Sequence, residues 1–445
     1  MKNKELFLHP LRDLGIMGSY IMDRKKKYKV ASLGCRTNQY EASAFAKQLK
    51  EMGYVEAKEG ESADLCIVNT CTVTESADSS SRRRIRQLAR EHSGAKIAVT
   101  GCLADRIPEE IGLMEEVDFV VPNKEKEELL RVVLQEEELP EFAIDQFGGH
   151  TRSFVKVQDG CNSFCTYCII PYVRGRSRSR RIDAILREIK ALIANGYKEV
   201  VITGVNVGDF DGAPEKEEEK VSLAQLVRLV DQLEGLERLR ISSIDPDEVD
   251  DDLLDAVIGG RTTCHSMHIV LQSGSNAILK KMNRKYTRQM FLEAIEKCKK
   301  ASADFTFTTD IIVGFPGETE GDFAETLELM KKIGFAKVHM FPYSKRERTK
   351  AALYPNSVPD RVVLERKQKL LRLDEQMAFS LREHYIGRTM PVLLESMEGG
   401  FFSGHTENFL PVLVPEKGLE SNQIVDVLIK ENTPMGLKGM VCESK

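Results

Sequence analysis

The chain has 445 residues, a formal net charge of −5 at pH 7 and ten cysteines. Its length allows two to four domains, each with its own hydrophobic core. Because the net charge is slightly negative, any binding to nucleic acid must come from local basic patches. No apolar run approaches the roughly 20 residues that a membrane helix needs. Cysteines in this number without a secretory signal favour a reducing cytoplasm, and a metal or redox use of the thiols over disulfides.

The N-terminal segment, residues 1–27, contains an apolar stretch that does not match a signal peptide. Arg12 and Asp13 interrupt this stretch, and a charged run at 23–27 follows it. A signal peptide needs its positive region first and an unbroken apolar region after it. We therefore interpret residues 1–27 as an N-terminal extension without an assigned role.

Residues 28–140 alternate short β-branched runs with helical patterns, which predicts a doubly wound parallel sheet flanked by helices. The predicted strands are 28–34, 64–70, 96–101 and 117–121. Cys35, Cys71 and Cys102 come directly after the first three of these strands. Because the carboxyl ends of parallel strands open on one edge of a sheet, we expect these three cysteines to converge in a three-thiolate site.

Residues 141–152 read as a linker, and residues 153–383 then repeat a strand–helix alternation six times. The predicted strands of this repeat are 153–158, 199–205, 238–244, 267–272, 304–313 and 336–343. Six such units match an incomplete (β/α)6 barrel, and barrels of this kind bind ligands at the C-terminal mouth of their strands. The loop after the first strand therefore lies at the mouth.

That loop carries the most informative cysteines of the chain, Cys161, Cys165 and Cys168, in the sequence CNSFCTYC. Three thiolates at this spacing can bind three irons of a four-iron cluster and leave the fourth iron open to a small ligand. A structural zinc site needs a closed set of four Cys or His ligands, and the next histidine, His265, lies far downstream. The spacing therefore favours a cluster over zinc.

Residues 384–445 change to short alternating strands separated by glycines, which predicts a small β-barrel. The predicted strands are 388–395, 399–404, 408–413, 423–430 and 437–442. The predicted architecture is thus an α/β chain of three folded regions in sequence order.

The cluster loop, with Tyr167 before its last cysteine, resembles that of the radical S-adenosylmethionine (SAM) enzymes, and the second cysteine set makes the chain similar to the methylthiotransferases among them. Residues 34–41 (GCRTNQYE) resemble the opening motif of the branch that acts on threonylcarbamoyladenosine in tRNA. The other segments similar to the family are 69–74, 100–102, 158–161, 174–180, 242–246, 271–275 and 310–319. One departure is Arg348, which stands where the family usually has glycine.

The resemblance implies two [4Fe-4S] clusters, one on each cysteine set, and SAM bound at the cluster of the barrel. It implies that the clusters carry the chemistry without a conventional acid or base residue. The residues that it assigns to SAM are Tyr167, Gly204, Asn206 and Gln272.

The resemblance also implies a tRNA substrate, and the final β-barrel resembles the RNA-binding TRAM domain. The arginines after the cluster loop could bind the tRNA backbone or the SAM carboxylate, because guanidinium groups suit phosphates and carboxylates; a solvated charge run is the alternative. These residues are Arg174, Arg176, Arg178 and Arg180. Near Cys35, the polar side chains Arg36, Thr37, Asn38 and Gln39 offer partners for the carboxylate and hydroxyl of a threonylcarbamoyl group.

We therefore expect a cytoplasmic, monomeric methylthiotransferase that adds a methylthio group to N6-threonylcarbamoyladenosine beside the anticodon. It needs a sulfur donor and an electron donor whose identities the sequence does not give. Two alternatives stay open: a methylthiotransferase that acts on a ribosomal-protein aspartate, and a non-enzymatic iron–sulfur protein that binds RNA.

Two of the cysteines outside these sets are expected to have packing roles. Cys66 lies in an apolar strand and Cys298 in a helical pattern, so both are expected to be buried. Cys264 is expected in a loop. His268 could face the barrel interior near SAM or be a hydrogen-bonded core histidine.

Overall fold

The computed structural model describes residues 24–216, 219–415 and 418–442, so the predicted extension at 1–27 lies almost entirely outside the described residues. The chain divides into two compact units. Unit 1 comprises Met1–Ile144 with Tyr172–Gly175, and unit 2 comprises Asp145–Pro171 with Arg176–Lys445. Four residues that follow the cluster loop in sequence therefore belong to unit 1, which the sequence did not predict.

Unit 1 is built on a parallel sheet of five strands. The strands are β1 (Lys27–Ser32), β2 (Val55–Glu56), β3 (Leu65–Thr70), β4 (Lys96–Gly101) and β5 (Phe119–Val120). The helices are α1 (Arg36–Glu51), α2 (Glu75–Glu91), α3 (Cys102–Arg106), α4 (Pro108–Gly112) and α5 (Leu129–Leu134). The strand order is β2-β1-β3-β4-β5. Sequence patterns predicted every strand except β2, whose two residues are exposed and carry no apolar pattern.

The two faces of this sheet pack into separate cores. Along β3, Cys66 and Val68 belong to one hydrophobic cluster, while Leu65 and Ile67 belong to another. Successive side chains of a strand point to opposite faces, so alternate residues of β3 enter different cores. A parallel sheet that is buried on both faces needs helices on both sides, which is the layered arrangement predicted for this region.

Unit 2 contains six parallel strands in sequential order, which form an open half-barrel. Its strands are β6 (Arg152–Lys156), β7 (Gln158–Asp159), β8 (Arg178–Ser179), β9 (Glu199–Thr203), β10 (Arg238–Ile244), β11 (Thr263–Ile269), β12 (Thr306–Val313) and β13 (Lys337–Pro342). The helices from this part of the chain are α6 (Ile170–Val173), α7 (Ile182–Ala194), α8 (Leu223–Asp231), α9 (Asp251–Ile258), α10 (Asn276–Lys281), α11 (Arg288–Ala301), α12 (Glu320–Ile333) and α13 (Asp360–Glu383). The order is β13-β12-β11-β10-β9-β6, and β7 pairs with β8 in a separate antiparallel ribbon. The six predicted barrel strands are all present.

A small closed β-barrel ends unit 2. Its strands are β14 (Thr389–Glu398), β15 (Phe401–Thr406), β16 (Pro411–Pro415), β17 (Ile424–Thr433) and β18 (Gly436–Val441), in the order β14-β15-β16-β18-β17. Five strands were predicted here, and each overlaps an observed one. Its core contains Val392, Leu394 and Val427, each fully buried.

The small barrel packs against the amino ends of the half-barrel strands. Arg240 of β10 donates to the carbonyls of Thr406 and Glu407, at 3.0 and 2.7 Å. The same guanidinium donates to the buried Glu199 carboxylate at 2.7 Å. Although burial opposes ionisation, Arg240 and Arg152 hold the pKa of Glu199 at about 2. This ion-pair network therefore fixes the small barrel at the amino ends of the half-barrel strands, opposite their carboxyl ends.

Every helix in the described parts of the chain is too short or too polar to span a bilayer.

Candidate functional site

The three cysteines of unit 1 lie at the carboxyl ends of adjacent strands, as predicted. Cys35 precedes the first residue of α1, Cys71 follows β3, and Cys102 is the first residue of α3. Strands β1, β3 and β4 are neighbours in the sheet, so the three strand ends present their cysteines at one edge. Cys35 is exposed, while Cys71 and Cys102 are buried.

Two glycines allow these turns to close. Gly34 has φ +92°, and a Cβ atom there would lie 2.7 Å from the Cys71 sulfur. Gly101 has φ +95°, and a Cβ atom there would lie 2.5 Å from both the Thr70 backbone nitrogen and the Asn69 Oδ1. A residue with a side chain would be strained at either position and would clash. The glycines therefore permit the close approach of the Cys35 turn to Cys71.

The thiols of unit 1 influence one another electrostatically. Burial, with a smaller contribution from charge on Cys102 and Cys35, raises the pKa of Cys71 to about 12. Burial also raises the pKa of Cys102, and the Arg174 guanidinium acts in the opposite direction. A thiol must lose its proton to bind metal. We therefore expect metal binding here to release protons.

A buried charged network lies behind these thiols. Both Arg174, through Nη1 at 3.0 Å, and Lys126 donate to the Glu41 carboxylate, and Asn69 donates to its second oxygen at 2.9 Å. Arg174 also donates to the Asn38 side chain. Arg174 and Asn38 are only 3% and 1% exposed. The sequence had suggested both for contact with RNA or substrate, but the structure places them inside the support of the cysteine site.

The cysteines of unit 2 occupy a short loop after β6 and the ribbon strand β7. The Cys168 N–H donates to the Cys165 carbonyl at 3.0 Å, which closes a turn between the two ligand positions. The Ser163 N–H donates to the Cys161 sulfur at 3.4 Å. Burial raises the pKa of both Cys161 and Cys168, and charge on Cys165 raises both further. The three thiols are thus within electrostatic reach of one another.

Both cysteine sets fit a cluster. Among the residues that the structure describes, no three His, Cys, Asp or Glu side chains are close enough to bind one metal ion. A single tetrahedral ion with metal–sulfur bonds of about 2.3 Å needs its sulfurs within about 4 Å of one another. A four-iron cluster instead bonds each thiolate to a different iron, which spreads the sulfurs. Three thiols in each set are the donors that a four-iron cluster with one open iron uses.

The loop of unit 2 receives one further contact that the sequence did not predict. Arg284 donates through Nη1 to the Cys165 sulfur at 2.9 Å. Its other terminal nitrogen pairs with Asp245. Arg284 lies far from the loop in sequence, within residues 282–286 (MNRKY), which carry no metal-binding pattern. Only the folded chain brings this guanidinium to the cysteine.

Tyr167 and Gln272, two of the residues assigned to SAM, have different surroundings. Tyr167 packs edge-on against Phe315, with 6.5 Å between ring centroids. Gln272 has a left-handed backbone, φ +63°, and its N–H donates to the Asp310 carbonyl at 2.8 Å. Tyr167 is half-buried, so part of its ring is accessible. The assignment of both residues to SAM stays a prediction.

The other two residues assigned to SAM, Gly204 and Asn206, lie just after the end of β9. A Cβ atom on Gly204 would lie 2.8 Å from Gln158 Oε1, and this oxygen accepts from the N–H groups of Val205 and Asn206 at 2.9 and 3.0 Å. The space beside Gly204 is therefore used by Gln158. Asn206 donates to Glu248 at 2.8 Å. Burial and the nearby Asp245 raise the pKa of Glu248 to about 7.

The arginines that follow the loop in unit 2 differ in exposure. Arg176 is exposed and stacks over the Phe164 ring, with its guanidinium carbon 4.3 Å from the centroid. Arg178 is exposed and pairs with Asp159 at 3.3 Å. Arg180 is less accessible, because Glu188 pairs with it at 2.7 Å. Arg176 and Arg178 are thus the better placed for a phosphate.

Arg348 occupies a backbone conformation that explains the usual glycine. Its φ is +70°, in the left-handed region that costs an L-residue about 1–2 kcal/mol. Its side chain is exposed, so the departure from the family pattern affects the backbone more than the packing.

The remaining predictions have mixed outcomes. Cys66 and Cys298 are fully buried, as expected for packing residues. The expectation of a loop at Cys264 is wrong, because β11 begins at Thr263 and buries it. His268 has a core partner, since its Nδ1 lies 2.8 Å from the Thr308 hydroxyl.

Two segments of the chain match known families, one in each unit. Residues 27–122 match the uncharacterized protein family UPF0004, and residues 155–330 match the radical SAM superfamily. Among solved structures, the radical S-adenosylmethionine methyltransferase TsrM from Kitasatospora setae, with cobalamin and a [4Fe-4S] cluster bound, aligns with a TM-score of 0.51. It covers 85% of this chain and 80% of that chain at 14% identity, so the likeness concerns the fold alone.

Curated relatives match nearly the whole chain. The threonylcarbamoyladenosine tRNA methylthiotransferase MtaB of Chlamydia pneumoniae is 46% identical, over 95% of this chain and 99% of the relative. The enzyme of that name from Bacillus subtilis is 36% identical, over 89% and 92%. A tRNA-2-methylthio-N(6)-dimethylallyladenosine synthase from Caldicellulosiruptor saccharolyticus is also 36% identical, over 94% and 93%.

Proposed function

Because this chain belongs to the family of radical SAM tRNA methylthiotransferases, we propose that it converts N6-threonylcarbamoyladenosine beside the anticodon of tRNA into its 2-methylthio derivative. The observation that carries the proposal is the pair of three-cysteine sites, one at the carboxyl edge of each parallel sheet. Two such sites on one chain are what sulfur insertion and methyl transfer by this family require.

The described residues of the two sites would bind the clusters and SAM and orient the target base. None of them is assigned as an acid or a base. When bound, the clusters and SAM supply the 5′-deoxyadenosyl radical, the sulfur and the methyl group. Cys161, Cys165 and Cys168 would hold one cluster, and the cysteines of unit 1 would hold the other. Burial of Cys71, Cys102 and Cys165 limits the access of water to these two sites. The target base must leave the stacked anticodon loop to reach such a site.

The relatives favour tRNA over the two alternatives. The curated relatives described above are enzymes named for tRNA, and the first of them spans 95% of this chain. This supports a tRNA substrate over a ribosomal-protein aspartate, and it supports catalysis over a binding role alone. A tRNA substrate also makes the cytoplasm the expected place of action, where we expect the chain to work as a monomer.

The choice of modified base depends on the threonylcarbamoyl group. Its carboxylate and hydroxyl need charged or hydrogen-bonding partners, whereas an isopentenyl group needs an apolar pocket. Of the polar residues after Cys35, Thr37 and Asn38 are buried, while Arg36 is exposed and Gln39 is half-buried. Arg36 and Gln39 therefore become the proposed contacts to this group.

We also propose that the small barrel is a TRAM-like module that binds RNA. Exposed Phe401 and half-buried Lys438 lie together on it, with the ammonium 5.8 Å from the ring centroid. A cation beside an aromatic ring suits a phosphate and a stacked base. The proposed domains are the sheet domain at 28–140, the linker at 141–152, the radical SAM half-barrel at 153–383 and the barrel at 384–445, with 172–175 packed into the first.

The proposal is tested in a strain that lacks both of its own methylthiotransferases. Expression of this chain should add the methylthio group to threonylcarbamoyladenosine, as detected by mass spectrometry of tRNA nucleosides. Isopentenyladenosine should stay unmodified. A methylthio group on isopentenyladenosine instead would assign the chain to the other branch, and no methylthio nucleoside at all would contradict the proposed function.

A further inference from the structure

We infer that Arg284 sets the reduction potential of the half-barrel cluster by donating a hydrogen bond to the thiolate of Cys165. The guanidinium Nη1 lies 2.9 Å from the Cys165 sulfur. This inference rests on the proposed function only for the presence of that cluster. Arg284 is a positioning residue, because it acts through Cys165, a proposed cluster ligand.

The backbone just before Arg284 is fixed to the cysteine loop. Thr166 donates through its N–H to the Met282 carbonyl at 2.9 Å and through its hydroxyl to the Lys281 carbonyl at 2.8 Å. Asn283 donates to the Phe164 carbonyl at 3.2 Å. These hydrogen bonds join residues 281–283 to the loop, and the guanidinium that follows them has a defined position relative to Cys165.

The far end of the side chain is held as firmly. Asp245 pairs with the second terminal nitrogen of Arg284, and the two side chains are 11% and 6% exposed. The guanidinium carbon lies 4.7 Å from the centroid of the Tyr286 ring. The Tyr286 hydroxyl donates to the carbonyls of Val270 and Leu271, at 2.8 and 3.1 Å. These contacts hold the guanidinium in one position, so that Nη1 stays directed at the Cys165 sulfur.

Such a contact acts on the redox equilibrium of a cluster. Hydrogen bonds to the sulfurs and shielding from solvent are two of the factors that set the potential of an iron–sulfur cluster. A charged donor stabilises the electron-rich reduced form more than the oxidised form, and a buried location strengthens the effect. Arg284 should therefore make this cluster easier to reduce.

The test is a redox titration of the full-length, two-cluster protein, in which electron paramagnetic resonance measures the reduced cluster at each potential. The signal that changes when SAM is added identifies the half-barrel cluster. In Arg284→Gln, the ratio of reduced to oxidised cluster at a fixed potential should fall about tenfold, which is a midpoint lower by about 59 mV for a one-electron couple. Arg284→Lys should shift the midpoint less in the same direction, because an ammonium cannot replace the planar fork on both partners.

Arg366 is a matched control within unit 2. It is 4% exposed, donates to Glu318 at 2.6 Å and stacks over Phe323 at 5.3 Å. Like Arg284, it is therefore a buried arginine with one carboxylate partner and one aromatic contact. Arg366→Gln should leave the midpoint unchanged. An unshifted midpoint in an Arg284→Gln protein with full iron content, or an equal shift in Arg366→Gln, would overturn the inference.

If Arg284→Gln fails to assemble the cluster, the Lys variant decides, and an unshifted midpoint there overturns the inference as well. The titration does not depend on tRNA. Loss of tRNA modification by the unaltered chain would contradict the proposed function and leave the midpoint shift measurable, so the two failures are distinguishable.

Discussion

The two three-cysteine sites differ in how the chain supplies their thiols. Unit 2 takes all three from one loop, 161–168, whereas unit 1 takes them from the ends of three separate strands. A loop brings its thiols together by local structure. Strand ends meet only when the sheet has formed, so metal binding in unit 1 is coupled to folding of the whole unit.

The backbone around the two sites also differs. Unit 1 places Gly34 and Gly101 at its left-handed turns, where a side chain would clash. Unit 2 has residues with side chains in the same backbone region, with φ of +48° at Phe164, +60° at Asn283 and +70° at Arg348. The turns beside the loop therefore store strain that the turns of unit 1 avoid.

Removal of each cysteine set is the largest perturbation. Replacing Cys161, Cys165 and Cys168 by Ala should lower the iron content from about eight to about four per chain and abolish SAM cleavage. Replacing the three cysteines of unit 1 should remove the same amount of iron and leave formation of 5′-deoxyadenosine detectable. Iron analysis and chromatography of the SAM products measure both. Full iron in either variant would contradict the assignment of the sites.

The buried network of unit 1 should give the next largest effect. Glu41→Gln removes a carboxylate that accepts from Arg174, Lys126 and Asn69, and a buried cation that loses its partner costs about 3–5 kcal/mol. Hydrogen exchange followed by mass spectrometry should show this loss in peptides of unit 1 and leave those of unit 2 unchanged. Glu110→Gln is the control: its pair with Arg82 is exposed, so less than about 1 kcal/mol is expected. Equal effects of the two variants would contradict the proposal that the buried Glu41 carboxylate stabilises unit 1.

The exposed arginines beside the loop should affect tRNA binding by a smaller amount. Arg176→Glu and Arg178→Glu should each weaken tRNA binding and reduce the slope of its salt dependence by about one unit per lost phosphate contact. Arg187→Glu changes the charge equally on the exposed face of α7, where the side chain is 60% accessible and pairs with Asp183. It should leave the slope unchanged. Binding curves at several salt concentrations distinguish these outcomes, and an unchanged slope in all three variants counts against an RNA-binding role here.

The smallest expected change is a gain in stability. Arg348→Gly should relieve the left-handed strain and raise the free energy of unfolding of the half-barrel by about 1 kcal/mol. Lys345→Gly, in the same loop but outside the left-handed region, should lower it by up to about 1 kcal/mol, because glycine gains more freedom in the unfolded chain. Hydrogen exchange of half-barrel peptides shows whether each variant raises or lowers the free energy of unfolding. A destabilised Arg348→Gly protein would mean that the side chain makes a compensating contact.

Sequence patterns predicted most of the fold because apolar runs with β-branched residues mark buried parallel strands. They missed β2, whose two residues are exposed, and the short ribbon of β7 and β8. The placement of the cysteines was predictable from position alone, since Cys71 and Cys102 directly follow strands of the sheet.

What surrounds the cysteines was not predictable in the same way. The burial of Arg174 depends on the packing of Tyr172–Gly175 into unit 1, which a run of arginines does not reveal. The contact of Arg284 with Cys165 joins residues far apart in sequence. Such contacts follow from tertiary placement, and no local pattern encodes them.

The central claim is that both sites act on one tRNA nucleoside, and mass spectrometry of tRNA tests it most directly. A strain without its own methylthiotransferases would express the unaltered chain or either triple Cys→Ala variant at matched levels. We expect 2-methylthio-N6-threonylcarbamoyladenosine with the unaltered chain and none with either variant. Modified nucleoside formed by a variant that lacks one cysteine set would contradict the requirement for two sites.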